Sequence, residues 1–356
     1  MGSKNPRVLL VSPLPPPAGG ISTWTHKYVE WAGLNDVRVA VVNIAVTGKR
    51  ARRINVGRSL ADEFGRTLSI LLNLLLKLRG FAPDVVHLNT PCSQFGIMRD
   101  LVCAFIVRAH KIPLIVHYRC NIEDQVGMAG VSRFFLRKMS ELACRNLVLN
   151  EDSRRFLQKT TKKEAEILPN FIDEDYVRQD NKRIAAAIKT VVFVGHVQRT
   201  KGVIDILSVA RHFYTVTFLL AGPISDEIMQ IELPSNVSLL GPLDSAQVRE
   251  LLLRSDLFLF PTYTEGFSNA LLEAMATGLP VITTRVGANV EMIEEFGGIL
   301  VNSGDPAGIV NAIIRMSNID VREKASQWNI KKVIGFYCRE AVMYKLMNIY
   351  RAVLLK

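Results

Sequence analysis

Short apolar, β-branched runs alternate with segments of helical period along nearly the whole chain, and this alternation restricts the fold more than any other feature. In the N-terminal half the runs are Arg7 to Ser12, Val37 to Ile44, Asp84 to Leu88, Pro113 to Tyr118 and Asn146 to Leu149. Between them lie the helical segments Ile21 to Ala32, Ser59 to Leu78, Gln94 to His110 and Val131 to Cys144, with Glu151 to Lys159 after the last. A strand that is apolar at almost every position has both faces covered, and intervening helices provide that cover. The pattern predicts a doubly wound parallel α/β domain.

After a polar passage from Asp173 to Arg183 the alternation begins again. Strands are expected at Thr190 to Gly195, Thr215 to Ala221, Asn236 to Leu240, Asp256 to Phe260, Pro280 to Thr284 and Gly298 to Val301. Helices fall between them, including Ser245 to Ser255 and Asn269 to Thr277. Two such domains suit 356 residues at roughly 150 residues each. The expected division is 1–172, 173–330 and a returning helix in 331–356, whose bases Lys331, Lys332, Arg339, Lys345, Arg351 and Lys356 match the basic first half. Open sheets of this kind bind ligands beyond the C-terminal ends of their strands. The fold class expected is therefore α/β, two doubly wound Rossmann-like domains facing across a ligand cleft.

Composition narrows the function. With 49% hydrophobic and 22% charged residues, the chain is neither disordered nor fibrous. The longest strongly apolar stretch, Leu68 to Leu76, contains Asn73 and is flanked by Arg66 and Lys77, whereas a spanning helix needs about 20 residues. Met1 to Val11 lacks the apolar core of a secretory signal, so a cytosolic protein is expected, peripheral at most on the inner face of a membrane. The five cysteines form no C-x-x-C pair and are expected as buried, reduced thiols rather than a disulfide framework or metal site. Net charge is +11, divided as +12 through Asn170 and −1 beyond it. The first half thus suits an anionic partner: nucleic acid, an acidic membrane surface or a phosphorylated substrate.

The segment Phe260-Pro-Thr-Tyr-Thr-Glu265-Gly-Phe-Ser-Asn-Ala-Leu-Leu-Glu273 carries the most chemistry. A strand ends at Pro261, a loop holds Glu265 and Gly266, and a helix starts near Ser268 or Asn269 with Glu273 about one turn inside. The N–H groups of that first turn, with the positive end of the helix dipole, suit a diphosphate. Glu265 and Glu273 would repel phosphate and suit sugar or ribose hydroxyls instead. The plain alternative is an ordinary first-turn acid and a solvated loop glutamate. After the first strand of the same domain comes Gly195-His196-Val197-Gln198-Arg199-Thr200-Lys201-Gly202, whose cations would neutralise a diphosphate and a departing nucleotide. In the first domain Pro17-Ala18-Gly19-Gly20 separates strand from helix, where glycines admit close backbone approach. It is not G-x-G-x-x-G, and no G-x-x-x-x-G-K-[ST] exists, which removes the main support for a dinucleotide oxidoreductase or an NTPase.

The Glu265 to Glu273 stretch resembles the E-x7-E signature of family-4 retaining glycosyltransferases, which have the GT-B fold of two Rossmann-like domains. Gly222, Gly241-Pro242-Leu243, Ser255-Asp256-Leu257, Gly278-Leu279-Pro280 and Gly287 to Glu291 stand in the order that family shows. The resemblance implies transfer of a hexose-type sugar from a nucleotide diphosphate sugar to an acceptor hydroxyl, with retention. The acceptor expected is a lipid-linked or cell-surface glycan precursor, such as one for lipopolysaccharide or polysaccharide biosynthesis. Glu265 and His117, the latter ending Leu114-Ile115-Val116-His117, would be the catalytic pair. Gly19, Gly20, His196, Arg199, Lys201, Leu243, Gly266, Phe267, Ser268, Asn269, Ala270 and Glu273 would bind the donor. His196 stands where the family usually has Arg, leaving Arg199 as the other candidate for the second positive group. His87 is read as structural or acceptor-side.

Asp173-Glu174-Asp175 has the form of a D-x-D metal motif, but it lies in the expected linker, and cations can replace a metal at the leaving group. No metal and no cofactor is expected; the nucleotide sugar is a co-substrate. Lys49, Arg50, Arg52, Arg53 and Arg58, followed by the leucine-rich segment Leu68 to Leu78, read either as the flank of a helix buried on its sheet or as an anionic-lipid surface on the acceptor side. Few aromatics interleave with the bases, so no nucleic-acid partner is expected. The competing classes are a nucleotide-sugar epimerase, which needs no acceptor, and a non-catalytic membrane-peripheral adaptor, which needs no donor pocket.

Overall fold

The computed structural model describes residues 5–17, 19–46, 60–127, 130–178 and 184–355. The chain divides into two compact units, Met1–Leu168 with Tyr344–Lys356, and Pro169–Met343.

The first unit runs β1 (Val8–Ser12), α1 (Gly20–Leu34), β2 (Val39–Asn43), α2 (Leu60–Gly80), β3 (Val85–Thr90), α3 (Gln94–Ala109) and β4 (Leu114–Tyr118). It continues with α4 (Ile122–Val126), α5 (Gly130–Leu142), β5 (Arg145–Val148), α6 (Glu151–Thr161) and β6 (Glu166–Ile167). Its strands form one parallel sheet in the order β2-β1-β3-β4-β5-β6. Every residue of β1, β3 and β4 is buried, as their unbroken apolar runs require when helices cover both faces.

The second unit runs β7 (Thr190–Val194), α7 (Val203–Ala210), β8 (Thr217–Ala221), α8 (Asp226–Met229), β9 (Val237–Gly241), α9 (Ser245–Arg254) and β10 (Leu257–Phe260). Then follow α10 (Asn269–Ala276), β11 (Val281–Thr284), α11 (Asn289–Ile293), β12 (Gly298–Val301), α12 (Pro306–Met316), α13 (Ile319–Phe336) and α14 (Arg339–Leu354). This sheet is also parallel, in the order β12-β11-β10-β7-β8-β9. Both sheets match the expected fold class. Among the described residues no helix is long and apolar enough to cross a membrane.

The structure departs from the sequence expectation at the edges. The first unit ends at Leu168 rather than at residue 172, and the return begins at Tyr344 rather than at 331. The terminal helix is broken into α13 and α14, and α13 stays with the second unit because its polar side chains are fixed there. Asn329 Nδ2 donates to the carbonyls of Leu279 and Gly297 at 2.8 and 2.9 Å. Arg322, fully buried, donates to the carbonyls of Met316, Ala185 and Ala186. The end of α14 does return: Tyr350 is buried in the first unit, its hydroxyl 2.7 Å from His87 Nδ1. The two-residue β6 and the short α4 were not expected, being too short to carry a period. Of the cysteines, Cys92, Cys103 and Cys338 are buried, but Cys120 is half-buried and Cys144 exposed.

Candidate functional site

In the second sheet β7 and β10 are neighbours although β8 and β9 lie between them in sequence. The connections therefore run away from this pair in opposite directions, and the loops that leave the two strands flank the switch point where open α/β sheets bind ligands. After β7 comes Gly195 to Gly202, with Arg199–Lys201 forming a single 3₁₀ turn. After β10 comes Pro261 to Ser268.

Glycine geometry holds these loops together. Gly202 has φ +75°, and a Cβ there would sit 2.0 Å from the Pro261 carbonyl oxygen. Gly287 has φ +52°, and a Cβ there would lie 1.9 Å from the Glu265 carbonyl oxygen. Only a residue without a side chain permits either approach. Further ties are Tyr263 N–H to the Thr200 carbonyl at 3.0 Å and Tyr263 Oη to Asp205 Oδ2 at 2.9 Å.

Across these loops Lys201 meets Glu265. The ammonium donates to Glu265 Oε2 at 2.7 Å and to the Thr264 carbonyl at 3.0 Å, and it lies 5.8 Å from the Phe260 ring centroid. Both side chains are about a fifth exposed. Two of the three ammonium donors are thereby used, and the third is left for an anion. Arg199 does not join this pair; it is turned to Glu227, with Nε 2.7 Å from Oε1, on an exposed part of the surface. His196 is exposed on the same loop.

Helix α10 starts where the sequence placed it. Ser268 is its N-cap and accepts from Leu271 N–H at 3.2 Å. Asn269 and Ala270, both partly exposed, contribute the first N–H groups, which a helix cannot pair internally. Asn269 Oδ1 accepts from Asn170 Nδ2 at 2.7 Å. Phe267 is buried edge-on against Tyr337, with centroids 5.6 Å apart, and the Gly266 carbonyl accepts from Ala288 N–H. Glu273 is partly exposed in the second turn; with burial as the larger cause, its charge raises the phenol pKa of Tyr176. Arg249 Nε donates to the Tyr176 carbonyl at 3.2 Å. Leu243 lies, half-buried, between β9 and the capping box of α9.

In the first unit the corresponding switch point lies between β1 and β3. Gly19 and Gly20 are exposed at the start of α1, but Gly19 is extended at φ −176°, so the backbone freedom of glycine is not used there. His117 stands near the end of β4, as expected, and is wholly buried. Its ring is stacked 5.5 Å from His87 and edge-on to Trp24 at 6.1 Å, and Arg119 Nη1 lies 3.5 Å from its Nδ1. Arg119 in turn sits 4.5 Å from the Trp24 ring centroid. Burial and the Arg119 charge push His117 well below its usual pKa and His87 down to about 3, while burial lowers Arg119 to about 9.

Sequence reasoning missed Tyr263 with Asp205, Asn170, Tyr176 and the Trp24–Arg119 contact. Each acts across a long separation, 58 residues for Tyr263–Asp205 and 99 for Asn170–Asn269, and no local spacing signals such pairs. The expected basic group Lys49, Arg50, Arg52, Arg53 and Arg58 lies outside the described residues. In the D-x-D-like triplet Asp173 pairs with Arg339 at 3.0 Å and Glu174 Oε1 accepts from Glu340 N–H. Among the described residues no group of three or more His, Cys, Asp or Glu could hold a metal ion.

Residues 188–318 match the family of glycosyl transferases group 1. The chain is 29% identical to N-acetyl-alpha-D-glucosaminyl L-malate synthase of Bacillus anthracis over 213 residues, covering 52% of this chain and 55% of the relative. Across the first curated relatives it spans 31% to 66% of their length. Among solved structures, a sucrose-phosphate synthase from Thermosynechococcus elongatus superposes with a TM-score of 0.79 at 15% identity, covering 99% of both chains. Anabaena HepE in complex with UDP-glucose superposes with a TM-score of 0.71 at 15% identity, covering 98% of this chain and all of that one. Residues 188–318 are thus similar to the group 1 glycosyl transferases, and the two sheets have the GT-B fold of these solved structures.

Proposed function

We propose that the chain is a retaining glycosyltransferase that moves a hexose-type sugar from a nucleotide diphosphate donor to a hydroxyl of a lipid-linked or cell-surface glycan precursor. The observation that carries this reading is the Lys201–Glu265 pair at the β7/β10 switch point, beside the N-terminus of α10. Lys201 and the first N–H groups of α10 form a cationic edge for a pyrophosphate. Glu265 accepts from sugar hydroxyls, and Glu273, farther along the helix, from the ribose. The exposed ion pair of Arg199 with Glu227 costs little to break, so Arg199 remains available as a second cation.

In the reaction the acceptor oxygen forms a bond to the anomeric carbon on the face that the leaving group departs from. The bond from that carbon to the β-phosphate oxygen breaks, its electron pair staying with the nucleoside diphosphate. A phosphate oxygen takes the acceptor proton, so no enzymatic nucleophile is used. Lys201 stabilises the charge that builds on the departing diphosphate, a role in which a cationic side chain replaces a metal ion. His117 and its cluster support the first unit from within.

The test is a donor screen. UDP-glucose, the ligand in the HepE structure, and UDP-N-acetylglucosamine are the first compounds, read by thermal shift, since a ligand that binds only the folded chain raises its melting point. Transfer is then read by the anomeric configuration of the product. No shift with any nucleotide sugar, or an inverted product, contradicts the reading.

A further inference from the structure

We propose that Cys92 and Cys120 of the first unit are a redox modification site, at which hydrogen peroxide converts two neighbouring thiols into a reversible disulfide. Strand register brings them together. Strands β3 and β4 pair in parallel with Thr90 opposite Tyr118, and the ladder runs one step further, Arg119 N–H donating to the Thr90 carbonyl at 2.8 Å. Each cysteine stands two residues beyond its member of that last pair, so the two leave the sheet side by side. Neighbouring strands lie about 4.8 Å apart, within the Cα separation of roughly 4.4 to 6.8 Å that a disulfide spans.

Both turns are held in place. Cys92 N–H donates to Thr90 Oγ1 at 3.1 Å, and the residue has φ +55°, a left-handed conformation that a residue with a side chain seldom adopts. After Cys120 the chain is tied to α6: Ser153 Oγ donates to the Cys120 carbonyl at 3.4 Å and accepts from Ile122 N–H at 3.2 Å. The side chains meet in one apolar cluster, Cys92 as a member and Cys120 packed against it. Their thiols share a hydrogen bond, which together with burial holds the Cys92 thiol well above its usual pKa. Buried cysteines often serve only as small apolar residues. Here one thiol faces another, and Cys120 is half-buried rather than sealed.

The unequal exposure of the two sulfurs sets the order of events. Peroxide reaches Cys120 and not the wholly buried Cys92. The Cys120 thiolate attacks one peroxide oxygen, the O–O bond breaks, hydroxide leaves and a sulfenic acid forms. Cys92 then gives up its proton and attacks the Cys120 sulfur; the S–O bond breaks and water departs, leaving the S–S bond. Two thiols are oxidised and one peroxide is reduced to two waters. Where thiols are kept reduced, such bonds are transient and report redox state. This one joins the turns after β3 and β4, at the C-terminal edge where open α/β sheets meet their ligands.

This inference stands apart from the donor reading, because it is tested without nucleotide sugar. The full, reduced chain is treated with hydrogen peroxide while its fold is followed by circular dichroism; free thiols are then counted and unreduced peptides mapped by mass spectrometry. The wild type loses two of its five thiols with its fold intact, yields one cross-linked peptide pair holding Cys92 and Cys120, and regains both thiols in dithiothreitol. In Cys92→Ala the bridge is lost and Cys120 is instead labelled by dimedone, the reagent for sulfenic acids; in Cys120→Ser neither product forms. The wild-type map decides the matter even if a variant folds poorly. Five thiols surviving the treatment overturn the proposal, as does oxidation confined to the exposed Cys144, a bridge between two copies of the chain, or a Cys92–Cys120 bridge that appears only after the fold is lost.

Discussion

Lys201 Nζ lies 2.7 Å from Glu265 Oε2, joining two loops that are 64 residues apart in sequence. The pair holds the carboxylate that is proposed to meet the sugar next to the cation that is proposed to meet the diphosphate. Binding of a donor then redistributes hydrogen bonds already aimed at the site rather than ordering a solvated lysine, which lowers the entropic cost of binding.

Replacing Lys201 by Met keeps the aliphatic stem and removes the charge. A hydrogen bond to a charged group contributes about 1.5 to 3 kcal/mol, so donor affinity should fall roughly tenfold to a hundred-and-fifty-fold. Glu265→Gln should leave donor affinity closer to wild type and lower turnover, because its proposed contact is with the reacting sugar. Steady-state kinetics on both variants separates the two roles; equal loss of KM and kcat in both would contradict them.

Glu273→Ala should chiefly weaken donor binding and leave kcat within a few-fold, since ribose contacts are the same in ground and transition states. Titration of the variant with a nucleoside diphosphate checks this, and unchanged affinity would remove Glu273 from the ribose.

Gly202→Ala forces a Cβ to within 2.0 Å of the Pro261 carbonyl at φ +75°. The left-handed backbone alone costs about 1 to 2 kcal/mol for a residue with a side chain, and the clash adds to it. The variant should melt several degrees lower and lose donor affinity with it, because the loops that carry Lys201 and Glu265 must separate. A melting point equal to wild type would contradict this geometry.

Acid should weaken the first unit before it weakens most carboxylate pairs. In the unfolded chain an imidazole takes up its proton near pH 6.5, whereas folded His87 holds off until about pH 3. Between these values the unfolded state binds more protons, so the stability His87 provides is complete above about pH 6.5 and is lost as pH falls toward 3. By pH 5 the loss is about 2 kcal/mol from His87, and His117, lowered in the same direction by burial and Arg119, adds to it. Chemical denaturation between pH 7 and 5 should show this slope, reduced in His87→Asn; a flat profile would contradict it.

Turnover should persist in chelator, with Lys201 in the place of a metal at the leaving group. Complete loss of activity in EDTA, restored by magnesium or manganese, would contradict that role.

The fold was legible because its information is local. Strands such as Val8–Ser12 and Leu114–Tyr118 are apolar at almost every position, and the turn, N-cap and helix from Pro261 to Glu273 are written in contiguous residues. What the chain does far from itself was not legible. Arg199 was expected beside Lys201, yet an acid on α8, Glu227, draws it aside. His117 was expected at a strand end, and no local signal shows that Trp24, His87 and Arg119 enclose it there. The break between α13 and α14 has no glycine or proline to announce it; it follows from backbone bonds between Ile172 and both Tyr337 and Arg339. The leucines of α2 were left open between a buried helix and an exposed surface, because hydropathy does not record which face a sheet occupies; Leu68, Leu72 and Leu76 are exposed.

The central claim is that the β7/β10 switch point of the second unit holds the donor diphosphate through Lys201 and the start of α10. Calorimetric titration of wild type and Lys201→Met with the donor found by screening tests it most directly. Saturable binding by the wild type, weakened at least about tenfold in the variant at equal fold stability, is the predicted result; wild-type affinity in Lys201→Met would contradict the claim.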